Sequence, residues 1–525
     1  MTRVLFSYYL LFETEEQYLH YRNLSEDHEL FDRLNMDIVE DKLRGCSETF
    51  PTQFIRKMNP DPAVAEFRGE VFCELARDSL WRTAEELCEL IASLGARFDA
   101  VVNVADPVHR KIVDIHIAAR YFSLLDRLSD FVSQFRSVGL RRAADMLRTY
   151  LAMPEIASDK AEILNAEALL NSHLRVSLKI DRAGKSIIVS DDVSDGAESL
   201  RELDGLCREL TGVAVCQPFA VVDASSPTML EKLILDRLLK ENGDVAYAVE
   251  NAPTVGIRWE SLALFREQIS FYVAFIRLFG RLKEKGLPFC RPAFDCGCRI
   301  RARGMYDLSL SVANIDNDDF RQTANGIDMG ADTDGFILTG ANQGGKTTFL
   351  RSVGTAVYLA MCGCPVPAES MTLYPYGEII ALFGGEEDED GEVSRFEGEI
   401  KKYYRCRGRL DRSALVLLNE YFTGTNRFDA VEILGQCIAE LTERQATYGC
   451  VTHFQEIYEF LGDDLNGRIL YLRAEVPPDN DPRKRYTIER GYPDGRAYSE
   501  RITRSFGMTY DELIRQFEER GVEGV

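Results

Sequence analysis

The stretch Gly340-Ala341-Asn342-Gln343-Gly344-Gly345-Lys346-Thr347-Thr348 decides the fold of the last third of this chain. It fits G-x-x-x-x-G-K-[ST], the phosphate loop. Gly335-Phe336-Ile337-Leu338-Thr339 before it reads as a strand, and Phe349 to Met361 after it reads as a helix. In that strand–loop–helix order, backbone N–H groups point at phosphates from a helix N-terminus. Gly340 opens the loop, and Gly344 and Gly345 keep side chains out of the way. Lys346 reaches the β- and γ-phosphates, and Thr347, with Thr348 beside it, offers a hydroxyl to Mg²⁺. The pattern implies a nucleoside triphosphate, with ATP and Mg²⁺ as the expected cofactors.

A second apolar run, Ala414-Leu415-Val416-Leu417-Leu418-Asn419-Glu420, follows about seventy residues later. Such a strand normally ends in Asp then Glu; here Asn419 holds the first position. Its carbonyl can accept a hydrogen bond from Thr347 or from metal-bound water, but it brings no negative charge. Weaker metal retention and slower turnover are the expected consequences. Glu420 is placed to polarise an attacking water. His453 follows the short strand pattern Tyr448-Gly449-Cys450-Val451-Thr452 and would sense phosphate and orient water at that strand's end.

The chain has 525 residues, 45% hydrophobic and 28% charged, which suits two to four soluble domains. No stretch is apolar enough to cross a membrane. The start is only weakly signal-like and soon meets Glu13, Glu15 and Glu16, so export is not expected. Thirteen cysteines in a chain this long favour reduced thiols in the cytoplasm. Cys290, Cys296 and Cys298 cluster before the core, and Cys362 and Cys364 follow its first helix; the pairs Cys296/Cys298 and Cys362/Cys364 are C-x-C, which is poor zinc spacing. The formal net charge of -23 argues against non-specific nucleic-acid binding, although a local basic face can persist in an acidic protein.

Upstream of the loop the patterns are mostly helical. Residues 1–105 are expected to form an N-terminal helical region, 106–288 a helical core and lever with a short hairpin, and 289–525 the nucleotide domain with C-terminal helices. Val108 to Thr149 keeps a helical stripe, and a further helix covers Ala157 to Leu170. The alternation of Leu174, Val176, Leu178 and Ile180, then Ile187-Ile188-Val189 after Arg182-Ala183-Gly184, reads as the hairpin. Glu260 to Glu284 is a long helix. Tyr306 to Val312 alternates, and Thr509 to Glu519 reads as a short charged helix. The run Glu386-Glu387-Asp388-Glu389-Asp390 reads as a solvated loop.

Thr339-Gly340 through Val353-Gly354, Leu415 to Glu420 and Thr452-His453-Phe454 together resemble the ATPase domain of the MutS family, the mismatch-repair ATPases related to ABC-type ATPases. Asn342 is the residue this family places in its loop. Ser394-Arg395-Phe396-Glu397-Gly398-Glu399 looks like its signature segment, and Thr423-Gly424-Thr425-Asn426 like the turn after its second strand. The resemblance implies an α/β ABC-type P-loop ATPase domain preceded by mostly helical core and lever domains. It implies that Ser394 contacts the γ-phosphate held by a partner subunit, so that a homodimer forms composite ATP sites, with DNA as a possible partner. Phe31 to Asp37 and Arg68-Gly69-Glu70-Val71-Phe72 are similar to a shortened branch with a helical core before the ATPase. Ala341, where the family usually has Pro, and Asn419 are departures. No Phe-x-Glu wedge stands near the start in a plausible mismatch-reading domain, so mismatch reading is not implied. The alternative functions are an ATP-dependent conformational switch, or a low-turnover scaffold, acting on a protein or RNA partner.

Overall fold

Asp106-Pro107, a turn signal in the sequence, starts a helix in the computed structural model. The Asp106 carboxylate accepts from the N–H groups of Val108 and His109 at 3.1 and 3.0 Å, and Pro107 needs no acceptor at the first helical position. The structure describes residues 9–47, 49–101, 104, 106–173, 177–180, 187–190, 232, 235–236, 239–340, 344–384, 395–474, 486–492, 510 and 514–515. They divide into two compact units: Met1–Leu10 with Arg82–Ile269, and Leu11–Trp81 with Ser270–Val525. Leu11–Trp81 falls in the same unit as the residues around the phosphate loop.

In the first unit the expected helical region 108–149 forms as two helices, Pro107–Val132 and Val138–Leu151. Tyr121, Phe122, Leu125, Leu128 and Phe131 form the buried stripe of the first of them, and Leu140, Leu147 and Tyr150 that of the second. Helix Pro154–His173 packs against helix Pro107–Val132, with Lys160 paired to Asp126 at 2.6 Å. The expected hairpin forms: β1 (Ser177–Ile180) pairs antiparallel with β2 (Ile187–Ser190), Ser177 opposite Ser190. Its turn lies outside the described residues, as do the acidic run 386–390 and most of 509–519.

The second unit carries two sheets. β3 (Ala293–Phe294), β4 (Cys298–Met305), β5 (Asn325–Gly330) and β7 (Ser370–Leu373) form a four-stranded sheet in the order β3-β7-β4-β5. β6 (Gly335–Gly340), β8 (Glu378–Phe383), β9 (Ala414–Asn419), β10 (Thr447–Val451), β11 (Ile469–Ala474) and β12 (Ile488–Arg490) form the other, in the order β12-β11-β6-β10-β9-β8. All its pairings are parallel except β11 with β12. A parallel sheet is covered on both faces, so its strands are continuously apolar. Phe336, Ile337 and Leu338 in β6 and Leu415 to Leu418 in β9 are buried accordingly. The alternation at Tyr306–Val312 is a helix, Leu308–Ala313, because Asp307 caps it: its carboxylate accepts from the Leu310 N–H at 3.1 Å. A local cap outweighs a period of two over seven residues.

Candidate functional site

β6 ends at Gly340, and the helix Lys346–Met361 begins at Lys346. Gly345 stands just before that helix with φ +83°, a left-handed conformation that costs glycine nothing. A methyl group there would lie 3.2 Å from the Tyr486 side chain, which covers the loop. Lys346 is buried, and its ammonium donates to the Gly340 carbonyl at 3.0 Å. Burial holds its pKa below the ordinary lysine value, while the Glu420 carboxylate pulls it back up. A desolvated cation at a helix N-terminus is matched to a phosphate anion.

β9 brings Asn419 to this loop. The Thr347 hydroxyl donates to Asn419 Oδ1 at 3.0 Å. A hydroxyl has one proton and two lone pairs, so this bond leaves its oxygen free to face a cation. Thr347, Asn419 and Glu420 are hard oxygen donors, the set Mg²⁺ prefers, so these residues fit the ion. Asn419 supplies the orientation of the threonine without the charge.

Glu420 leaves the strand in a left-handed conformation, φ +46°. Its N–H donates to the Val451 carbonyl at 2.8 Å, joining the ends of β9 and β10. Gly384, one residue past β8, donates its N–H to the Asn419 carbonyl at 2.8 Å. A methyl group at Gly384 would stand 2.2 Å from the Glu420 carbonyl oxygen, so only glycine admits this approach. His453 follows β10 at Thr452, is exposed, and lies against Phe454 at 4.2 Å between ring centroids. Partial desolvation lowers its pKa, Arg427 and Lys346 act the same way, and Glu420 and Glu456 oppose them. One carboxylate, Glu420, thus acts electrostatically on both Lys346 and His453.

The phosphate-loop residues and Glu420 border a cavity of ≈ 630 Å³, within the range of small-ligand pockets, and neither Asn419 nor His453 is among its lining residues. Lys346, Thr347, Thr348 and Glu420 line one part, and Leu310, Phe320 and Tyr486 contribute apolar surface. Gln322 and Asn325 also line it, yet both are already engaged. Gln322 accepts from Ser311 and donates to the Asp307 carbonyl at 3.0 Å, while Asn325 accepts from the Ile488 N–H at 2.8 Å and donates to the Tyr486 carbonyl at 3.2 Å. Sequence reasoning missed Phe320, Gln322 and Tyr486. An aromatic residue inside the polar run Asn314–Gln322 was the available signal for Phe320.

Asn342 and Ser394 lie outside the described residues. The residue after Ser394 begins the helix Arg395–Cys406, and Arg395 donates to the Thr423 hydroxyl at 2.6 Å and to Glu399 at 3.3 Å. The Tyr421 hydroxyl donates to the Glu399 carbonyl at 2.7 Å. The signature-like helix is therefore fixed to the turn that follows Glu420. No cluster of metal-ligating cysteines forms among the described residues, and no helix among them is long and apolar enough to cross a membrane. Cys362 and Cys364 are buried, and burial raises both thiols above the usual range.

Residues 336–494 match the family model for MutS domain V. An endonuclease MutS2 of Solidesulfovibrio magneticus is 32% identical over 164 residues, 31% of this chain and 21% of that protein. An endonuclease MutS2 of Thermotoga petrophila is 31% identical over 176 residues, 33% of this chain and 23% of that protein. A DNA mismatch repair protein MutS of Chlorobaculum tepidum is 28% identical over 247 residues, 45% of this chain and 27% of that protein. The matched stretch is thus about a quarter of the length of these relatives. The chain carries a MutS-family ATPase domain.

Proposed function

We propose that this MutS-like chain binds and hydrolyses ATP, and that its nucleotide state sets the posture of a dimer associated with DNA. The observation that carries the reading is the Thr347–Asn419 hydrogen bond at 3.0 Å, which unites the phosphate loop with the strand bearing Glu420. Gly340, Asn342, Gly344, Gly345 and Thr348 hold the phosphates. Lys346 neutralises the phosphate to be transferred, and Glu420 orients water toward it. His453, kept neutral by its lowered pKa, accepts a hydrogen bond at the edge of that water site. Mg²⁺, held by Thr347 with Asn419 behind it, would withdraw charge from the phosphate oxygens. Phe320 and Tyr486 offer surface to the base. The division points 81/82 and 269/270 fall inside the helices Leu80–Val101 and Trp259–Glu284, which suits them to carry posture changes as levers.

Steady-state hydrolysis of the wild type against Lys346→Ala and Glu420→Ala tests the enzyme reading. Wild-type turnover no faster than that of Glu420→Ala would remove it. For the dimer, Ser394 is proposed to complete the partner's site, and ATP should then shift sedimentation toward a two-chain species. A monomer with trapped ATP contradicts this part. A second reading is a low-turnover cytoplasmic switch acting on a protein or RNA partner, favoured by the neutral Asn419 and the net charge of -23. Binding to plain, branched and mismatched duplexes across salt separates the two. No DNA binding at low salt, with or without ATP, selects the second.

A further inference from the structure

The first unit holds a recess of ≈ 250 Å³ whose chemistry the nucleotide site does not use. Helix Leu80–Val101 gives it Ser93 and Arg97, and helix Pro107–Val132 gives it Arg120, Ser123 and Arg127. Its apolar lining is Leu90, Leu94 and Leu124, the last two buried. The positions 90, 93, 94, 97 and 120, 123, 124, 127 follow the same helical spacing, so each helix turns a single face to the recess.

None of the three arginines makes a hydrogen bond or ion pair among the described residues. Glu86 and Asp130, next along those two faces, pair with none of them. The chain has 85 acidic residues against 62 basic ones, so surface arginines have carboxylates in excess to choose from. Three adjacent arginines left without one, beside two hydroxyl donors, form a cationic recess.

We propose that this recess is a phosphoryl-anion site distinct from the nucleotide cavity. Guanidinium groups present planar donor forks matched to phosphate oxygens, and the serine hydroxyls complete the donor set. Three positive charges suit a phosphoryl group carrying more than one negative charge better than a single carboxylate. The volume is below that of a pocket enclosing a whole small molecule, so the recess holds the phosphoryl end of a ligand. The buried Leu94 and Leu124 give the recess an apolar floor, which lowers the local dielectric on one side of the contact. A free polyphosphate and a nucleic-acid backbone share this chemistry.

The test uses the full chain carrying Lys346→Ala, so that the phosphate loop does not compete. Inorganic pyrophosphate and a short single-stranded oligonucleotide are titrated separately by calorimetry, with and without Arg120→Gln or Arg127→Gln. Pyrophosphate should bind, and each glutamine should weaken it about tenfold. Oligonucleotide binding that pyrophosphate competes away identifies the backbone as source; pyrophosphate binding alone identifies a free ligand. Pyrophosphate binding that is absent, or unchanged by the glutamine variants, overturns the proposal. So does capture of a glutamate-rich peptide that pyrophosphate fails to displace, which would make the recess a protein-docking face.

Discussion

Asn419→Asp should tighten Mg²⁺ without altering how the threonine is held. The Thr347 hydroxyl donates to Asn419 Oδ1 at 3.0 Å, and an aspartate offers an acceptor in the same place. Making that acceptor ionic strengthens the bond by about 1 kcal/mol, the usual difference between neutral and charged partners. Without metal, this gain is opposed by Glu420, the next residue along the chain. The apo protein should therefore change little in stability. With metal the balance alters, because the new carboxylate stands one hydrogen bond from the ion. Partners in that position change metal affinity by about ten- to a hundredfold. The half-saturating Mg²⁺ concentration for hydrolysis should fall by that factor, and trapping of a nucleotide analogue should persist at correspondingly lower Mg²⁺. The assay is a Mg²⁺ titration at saturating ATP for both proteins, with Lys346→Ala as the binding control. An unchanged Mg²⁺ midpoint in an otherwise folded, ATP-binding Asn419→Asp protein refutes the reasoning. Asn419 would then merely finish a strand.

Gly384→Ala forces a methyl group against the Glu420 carbonyl, 2.2 Å away, and should cost about 1–3 kcal/mol in urea unfolding. Its turnover should fall by more than its ATP affinity, since the displaced peptide carries Glu420; unchanged turnover would separate Glu420 from the chemistry. Lys346 titrates below the ordinary lysine value of 10.5, so between its folded pKa and 10.5 the unfolded chain binds more protons. Relative to Lys346→Met, apo stability should rise with pH through that window while ATP affinity falls; parallel trends would contradict a buried, phosphate-facing ammonium. Phe320→Ala removes half-buried ring surface from the cavity wall and should weaken ATP about tenfold with little change in turnover, measured as KM against kcat. A change confined to kcat would place the base elsewhere.

The phosphate loop and the second strand were legible because each is a local pattern. A buried parallel strand must be apolar along its length, and a glycine-rich turn into a helix admits few other uses. Asn419 and Glu420 could be placed beside the loop for the same reason, since β9 and β6 each pair with β10. Tyr486 could not be placed, because it reaches Gly345 only through the antiparallel return of β12 on β11. Gln322 was equally hidden: its role rests on contacts with Ser311 and Asp307 across a loop. The alternation at Tyr306–Val312 misled for a physical reason, as seven residues are too few for periodicity to outweigh a capping carboxylate.

The membership of Leu11–Trp81 in the second unit has a physical root in Arg68. This arginine is fully buried, donates to the Leu11 carbonyl at 3.0 Å and to the Cys362 carbonyl at 3.0 Å. Cys362 is the C-terminal cap of the helix Lys346–Met361. The arginine therefore satisfies a carbonyl at the negative end of the helix whose positive end forms the phosphate loop. No carboxylate pairs with it among the described residues; the faces of Phe12, Tyr21 and Phe271 surround the guanidinium at 4.7, 5.5 and 5.7 Å. A buried cation held by carbonyls and rings is stable only while all of those groups stay in place. The first of them come from the N-terminal segment, and Phe271 comes from the helix Trp259–Glu284. Both segments are thereby committed to the end of the phosphate-loop helix. The sequence order suggests a nucleotide domain preceded by separate helical parts, whereas the interactions of Arg68 make the segment Leu11–Trp81 part of the nucleotide domain's own support.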